Sequence, residues 1–409
     1  MKTIKFFTLG CKVNQYDTQK IREQFLSAGF KEENNARPAN ICLINTCTVT
    51  HRADSDSLNL IRRAKRENPK AKIIVTGCLA ELDSKKIEGA DFIVKNKSKG
   101  KIVNLLQGLS PKGTVPVTGI SDFQGHTRAF VKIQDGCDNF CSYCKIPLVR
   151  GRSLSRPKND IIAEVNRLVE RGFKEIVLTG ICLGSYSGLS GLIEGLEKIE
   201  GLLRIRLSSI EAGDVSDGLI NKISESEKLC RHLHIPIQSG DDEILKKMNR
   251  KYNRAGYLSL IKKIKRKIPG MAITTDVLVG FPGESEKNFS NTLDLIKKIM
   301  PLKVHIFPYS SRPGTVAAGF VDPPIKAEII KERIRRLQKV AGDCKISFEK
   351  NFLGRTMPVL FESRVKNKLD FWQGYTDNYL KVRVKSKTNL RNLIQPVKLS
   401  SASLRFSSY

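Results

Sequence analysis

The sequence predicts an α/β protein in three parts: an N-terminal doubly wound parallel sheet, a central partial (β/α)6 barrel and a small C-terminal all-β barrel. Three observations lead there. Short apolar runs alternate with helical periodicity in the first part. Six strand-like runs separated by helical patterns follow. The last stretch turns β-rich with alternating basic residues. The parts divide at 1–123, 124–354 and 355–409, and 409 residues are too many for one ordinary core.

In the first part, residues 2–9, 41–45, 72–76 and 92–94 read as strands, and 18–28 and 53–67 as helices. This alternation places helices on both faces of a parallel sheet. Residues 109–125, rich in Gly, Pro, Ser and Thr, read as a linker. In the second part the strands are 129–134, 175–179, 204–208, 232–237, 273–279 and 303–307, with helices such as 158–171 and 284–298 between them. Chemistry in such sheets gathers at the carboxyl ends of the strands. In the third part, 357–361 and 379–385 read as strands with Gly374 between them. Lys381, Arg383 and Lys385 alternate, so one strand face becomes a basic stripe. A barrel of the oligonucleotide-binding type fits this length, and so does a β-rich cap without a ligand.

The charge balance is lopsided, with 71 Lys plus Arg against 41 Asp plus Glu and a net charge of +30. Such a chain attracts polyanions with salt-dependent affinity, and nucleic acid is the obvious one. No apolar run approaches the ~20 residues of a membrane span. The apolar stretch in residues 1–10 is too short for a signal peptide and no cleavage site follows. A cytoplasmic protein without a membrane partner is expected. In a reducing cytosol its ten cysteines point to metal or redox chemistry rather than disulfides.

Cys137, Cys141 and Cys144 form a C-x3-C-x2-C run directly after the first barrel strand. Three thiolates can hold three irons of a four-iron cluster and leave the fourth open for a small molecule. A zinc site with a distant fourth ligand is the alternative. It lacks a second C-x2-C unit or a histidine at ligand spacing. Cys11, Cys47 and Cys78 each follow a strand of the first part, so a parallel sheet brings their loops to one edge. The alternative is three unrelated buried cysteines. Cys42, within its strand, reads as core. Cys182, Cys230 and Cys344 read as non-ligands, although Cys182 sits in a barrel loop near the expected site.

The motif DGCDNFCSYCKIPLVRG, with Tyr143 as its aromatic, followed by a six-unit barrel, resembles the radical S-adenosylmethionine superfamily. The resemblance implies that the open iron chelates S-adenosylmethionine, and that one electron cleaves it to a 5′-deoxyadenosyl radical. With TLGCKVNQYDTQ, INTCTVT and VTGCLAE added, the whole chain is similar to the tRNA methylthiotransferase family, and its last part to that family's TRAM module. GCKVNQYD, TGICLGSY and a VLFE-containing tail resemble the branch acting on threonylcarbamoyladenosine at tRNA position 37. The sister branches act on isopentenyladenosine in tRNA or on a ribosomal-protein aspartate. Asp56 and Leu58 stand where that branch commonly has basic residues, and Cys182 where it often has His.

The resemblance implies two four-iron clusters, on Cys11, Cys47 and Cys78 and on Cys137, Cys141 and Cys144, with S-adenosylmethionine at the second. It also implies a methylthio group added to carbon 2 of adenine, tRNA as partner, an electron donor such as a flavodoxin-type reductant, and a sulfur source. Tyr143, Gly180, Gln238, Ser239, Asp276 and Gly280, at or near strand ends, are candidates for cofactor contact. Arg150 and Arg152 are candidates to pair with a carboxylate or phosphate. For the tRNA, Arg62, Arg63, Lys65 and Arg66 on a basic helix and Lys381, Arg383 and Lys385 on the tail strand are candidate phosphate contacts.

Overall fold

The computed structural model describes residues 2–34, 37–106 and 118–404. The expected linker at 109–125 therefore lies outside the described residues up to position 117. The first part is a five-stranded parallel sheet in the order β2-β1-β3-β4-β5, with β1 at Thr3–Thr8, β2 at Lys31–Glu32, β3 at Ile41–Thr46, β4 at Lys72–Gly77 and β5 at Phe92–Val94. Every residue of β3 is buried, as a central strand covered on both faces requires. Leu43 joins Ile4, Phe25 and Ile74 on one face, while Cys42 and Ile44 join Ile61 and Val75 on the other. Cys42 is thus a core residue. The helix Lys12–Ser27 starts six positions before the expected 18, because Asn14, Asp17, Thr18 and Gln19 are buried polar residues that break the apolar pattern. The two-residue β2 is too short to leave a periodic signal.

Six parallel strands follow in chain order: β6 (Arg128–Lys132), β9 (Glu175–Thr179), β10 (Arg204–Leu207), β11 (His232–His234), β12 (Ala272–Val279) and β13 (Lys303–Pro308). Single parallel bridges, Ile205 to Leu229 and Ser209 to His234, join the two halves into one open barrel. Between β6 and β9, the short strands β7 (Gln134–Asp135) and β8 (Leu154–Ser155) pair antiparallel and clamp the loop that carries the C-x3-C-x2-C run. The expected strand 129–134 is therefore two strands. Ala129, Val131, Ile176, Leu178 and Ile205 pack outward against the helices. By the two-residue period of a strand, Arg128, Lys132, Glu175, Arg206, His234 and Asp276 face the lumen.

The last part is an antiparallel sheet in the order β16-β15-β14-β17, formed by β14 (Thr356–Val365), β15 (Lys368–Thr376), β16 (Lys381–Lys385) and β17 (Ile394–Lys398). It curls into a half-barrel consistent with a TRAM-like domain. Gly374 lies inside β15, not between strands. A Cβ there would meet the Leu360 carbonyl oxygen at 2.2 Å, so the glycine serves a close strand approach beside a bulge. This sheet closes the amino end of the barrel. Arg204 donates to the carbonyls of Tyr375 and Pro358, Arg206 donates to those of Thr376 and Asp377, and Tyr379 stacks on His232 at 4.5 Å.

A buried ion network joins the first part to the barrel. Asp17 accepts from Lys132 at 2.5 Å and Lys99 at 3.0 Å, and lies 3.4 Å from Arg150, which also holds Asp135 at 2.9 Å. Burial alone would raise the Asp17 pKa, but Lys132, Lys99 and Arg150 outweigh it and hold the carboxyl well below the usual range. Asp135 is shifted down in the same way. A carboxylate with a depressed folded pKa adds stability above its unfolded value of about 4 and loses it as the pH falls toward the folded value. Urea unfolding is expected to show the wild-type midpoint falling below about pH 4. Asp17→Asn, which strands Lys99 and leaves Lys132 and Arg150 to share Asp135, is expected to cost about 3–5 kcal/mol near neutrality and to flatten that acid limb.

Candidate active site

Cys11 follows β1, Cys47 follows β3 and Cys78 follows β4, as the parallel topology requires. Two glycines make the convergence possible. Gly10 (φ +98°) would place a Cβ 3.0 Å from Cys47 Sγ, and Gly77 (φ +102°) would place one 2.3 Å from the Thr46 carbonyl oxygen. Asn14 donates to the carbonyls of Leu9 and Thr46, and Ser57 Oγ both accepts from Cys47 N and donates to Cys47 O. Burial pushes the Cys47 thiol up to about 11, with the charges of Cys78 and Cys11 adding to the rise. The three thiols are near enough to act on one another electrostatically.

The second triad sits on the loop between β7 and the helix Ile146–Arg150. Gly136 (φ +76°) is obligatory there, since a Cβ would lie 1.9 Å from the Arg152 carbonyl oxygen. Arg250 donates to Cys141 Sγ at 3.2 Å and to the Tyr143 hydroxyl at 3.5 Å, and pairs with Glu211. Burial pushes Cys144 up to about 12. Cys137 is lowered, chiefly by a hydrogen bond from Cys182. Cys182 is buried, bonded to Ser185 Oγ at 3.1 Å and close to Asp214, and its own pKa is raised by the Cys137 contact and by burial. It is thus a neighbour of the triad rather than a remote core cysteine.

One cleft of about 260 Å³ joins the two triads. Its walls include Thr48 and Cys78 from the first part and Tyr143, Cys144, Gln238 and Asp276 from the barrel. Arg312 straps the two walls: its side chain is 2 % exposed, it donates to Thr48 O and Oγ1, and it pairs with Asp54. Its Nε and Nη1 are buried without a hydrogen-bond partner. The donor set, two groups of three thiols, fits two multi-iron clusters. Ligand atoms of a one-ion site lie within 4.8 Å of one another, and among the described residues neither triad is so tight. The network beside Cys11 and Cys78 carries three cations against two carboxylates, a surplus that suits an anionic cluster.

Other expected residues divide by what they touch. Gln238 (φ +67°) and Asp276 line the cleft, and Asp276 Oδ2 lies 3.2 Å from His234 Nε2. The Ser239 hydroxyl faces Thr292 and Asp241 N. The Gly280 amide donates to Glu284, and Gly180 makes room for Gln134, whose Oε1 accepts from Cys182 N. These three hold the walls up. Arg150 pairs with carboxylates inside the protein, whereas Arg152 is exposed over the Phe140 ring and bonded to Asp138. Cys230 and Cys344 are buried away from both triads. Arg62, Arg63 and Arg66 are exposed and Lys65 half-buried on the helix His51–Glu67, while Lys381 and Arg383 are half-buried and Lys385 exposed on β16. Sequence reasoning missed Arg250 and Arg312. They lie in the stretches KKMNRKY and YSSRPGT, but only the folded chain shows what they grip.

A thiol-bearing loop after the first strand of an open parallel barrel defines a radical S-adenosylmethionine enzyme. Residues 131–296 match the Radical SAM superfamily, and residues 3–97 match a family described as uncharacterized protein family UPF0004. The fold is shared with the radical S-adenosylmethionine methyltransferase TsrM from Kitasatospora setae, at TM-score 0.55 and 13% identity over 75% of this chain and 73% of that one. Over 98% of this chain and 94% of the relative, the sequence is 37% identical to the threonylcarbamoyladenosine tRNA methylthiotransferase MtaB of Bacillus subtilis. It is 42% identical to the enzyme of that name from Chlamydia pneumoniae, over 88% and 87% of the two chains. It is 35% identical to a tRNA-2-methylthio-N(6)-dimethylallyladenosine synthase of Clostridium tetani, over 95% and 91%. The chain belongs to the tRNA methylthiotransferase family of radical S-adenosylmethionine enzymes.

Arg250 ties Cys141, Tyr143, Tyr252 and Glu211 together. Arg250→Met leaves the half-buried Glu211 without a partner and is expected to cost about 2–3 kcal/mol by urea unfolding. Adding Glu211→Gln is expected to recover part of that loss.

Proposed function

We propose that this enzyme adds a methylthio group to carbon 2 of N6-threonylcarbamoyladenosine at position 37 of tRNA. The observation that carries the reading is the single cleft walled by Cys78 of one triad and Cys144 of the other. The relatives named for threonylcarbamoyladenosine, at 37% and 42% identity over most of both chains, support the choice of nucleoside. Cys11, Cys47 and Cys78 would hold one four-iron cluster, and Cys137, Cys141 and Cys144 the other, where S-adenosylmethionine binds. These groups, when bound, supply homolysis of a C–S bond, a sulfur atom and a methyl group. The protein's own share is placement. Arg250 donates to Cys141 Sγ at 3.2 Å, Tyr143 and Phe281 pack a wall beside it at 6.5 Å between ring centroids, and Gln238 and Asp276 present polar atoms to whatever enters.

Carbon 2 of adenine carries an inert C–H bond, so the base must come out of its stack to reach a buried cleft. An anticodon-loop base does so without melting a duplex. The helix His51–Glu67 starts at the cleft, where Thr50 lines the wall, and carries its basic residues outward. At 1.5 Å per residue, Arg62, Arg63, Lys65 and Arg66 lie roughly 15–25 Å along the axis, a reach suited to phosphates away from the target base. Lys381, Arg383 and Lys385 provide a second stripe. An electron donor such as a flavodoxin-type reductant and a sulfur source complete the reaction, in the cytoplasm. No helix among the described residues is long and apolar enough to cross a membrane.

Anaerobically reconstituted enzyme is expected to hold about eight irons, and each triple Cys→Ala set to lose about half. Replacing Cys137, Cys141 and Cys144 is expected to abolish 5′-deoxyadenosine release. Replacing Cys11, Cys47 and Cys78 is expected to spare that release but stop methylthiolation, and normal methylthiolation by this second set would sink the reading. Nucleoside mass spectrometry of a deletion strain is expected to lose the methylthio derivative of threonylcarbamoyladenosine and keep that of dimethylallyladenosine. Arg62→Ala with Arg63→Ala is expected to reduce the salt slope of tRNA binding by roughly one for each phosphate that these side chains neutralise.

A further inference from the structure

Below the cleft, the barrel lumen holds a polar group that neither triad uses. His234 on β11, Asp276 on β12 and His305 on β13 stand side by side, since His234 pairs in register with Thr274, and Asp276 with His305. Their ligand atoms all lie within 4.8 Å of one another. His234 Nε2 is 3.2 Å from Asp276 Oδ2, and His234 Nδ1 is 2.9 Å from Thr274 Oγ1. Asp276 also lines the cleft, so this group is continuous with the space between the triads.

Lys12 reaches the same lumen from the first part, one residue beyond Cys11. Its ammonium lies 6.0 Å from the Phe130 ring and acts electrostatically on His305. The side chain keeps accessible surface, and the charges of Arg128 and Arg206 lie near it. Nearby Arg128 is paired with Glu362 and Glu175, and Arg206 with Glu175. Among the described residues, no carboxylate forms an ion pair with the Lys12 ammonium. Below, Tyr379 stacked on His232 forms a floor.

Resting on the substrate reading above, we propose that this lumen group recognises the N6 arm of the target nucleoside. Lys12 pairs with the arm's carboxylate, Asp276 and His305 hydrogen-bond its hydroxyl and urea groups, and His234 holds Asp276 in place. The chemistry is matched. A threonylcarbamoyl arm carries one negative charge, one hydroxyl and urea N–H and C=O groups. The lumen offers one unpaired cation, a carboxylate acceptor and, in His305, an imidazole that donates or accepts. Burial, with Lys303 adding to it, pushes His305 down to about 4, so its ring is neutral near pH 7 and can serve either way. An apolar dimethylallyl arm would leave the Lys12 ammonium without a partner and set hydrocarbon against the Asp276 carboxylate, which is how a polar pocket rejects a hydrocarbon. A divalent metal fits the three side chains less well. Both His234 nitrogens are already engaged, and Lys12 and Lys303 face the site with positive charge.

The test is fluorescence anisotropy of the reconstituted enzyme with three anticodon stem-loops bearing adenosine, dimethylallyladenosine or threonylcarbamoyladenosine at position 37. The wild type is expected to prefer the last by about tenfold or more, the weight of a charge-assisted contact. Lys12→Met is expected to bring its affinity for the last down to that for the adenosine stem-loop, with the latter unchanged. His305→Phe, on a strand remote in sequence from all six thiols, is expected to lose part of the preference and decides the matter if Lys12→Met disturbs iron content. Full wild-type preference in the variants would overturn the proposal, and so would a stoichiometric divalent ion bound to His234, Asp276 and His305. A wild type that methylthiolates the dimethylallyl stem-loop instead would overturn the substrate reading itself, a failure seen before any variant is made.

Discussion

The architecture depends on five charges buried where the first part meets the barrel: Asp17, Lys99, Lys132, Asp135 and Arg150. Taking such groups from water is costly, and an apolar interface of the same shape would serve stability as well or better. What the network adds is register. Asp17 sits on the helix that begins next to Cys11, Lys132 ends the first barrel strand, and Asp135 and Arg150 bracket the loop of the second triad. Each carboxylate meets at least two cations, and a slip of either part breaks the contacts of Asp17 with Lys132 and Arg150 together. Those two contacts fix how the part bearing one triad sits against the part bearing the other.

The two ends of the barrel are used differently. At the carboxyl ends of the strands, the loops carry the thiols, Gln238 and the wall of the cleft, as open parallel sheets generally arrange their chemistry. At the amino ends, Arg204, Arg206 and His232 are occupied by backbone carbonyls and a ring of the C-terminal sheet. That sheet is consequently a plug as well as a basic surface. The lumen between is polar, unlike the apolar filling of a closed eight-stranded barrel. A polar lumen suits a polar guest, since a hydrocarbon placed there would displace water from groups it cannot hydrogen-bond.

Much of this was legible in the residues. The parallel strands follow from their apolar runs; Phe92–Val94 and Glu175–Thr179 fall where expected. The thiols after β1, β3 and β4 converge because parallel topology leaves those loops no other edge. The exceptions have physical causes. The helix from Lys12 was obscured by its buried polar residues, which answer to partners far away in sequence. Gly374 reads as a turn because a glycine required by close strand packing looks the same in sequence as one required by a turn. Arg250 and Arg312 are single cations in a chain with 71 Lys and Arg, and only their tertiary partners distinguish them. The role of Cys182 turns on its hydrogen bond with Cys137 across 45 positions of sequence.

The most direct test of the central claim is where iron sits. Anomalous diffraction at the iron edge from anaerobically reconstituted crystals locates metal without recourse to activity. Two separate iron centres are predicted, one beside Cys11, Cys47 and Cys78 and one beside Cys137, Cys141 and Cys144, each with an unligated corner facing the shared cleft. A single centre, or a first-part centre turned to another face of the sheet, would contradict the account.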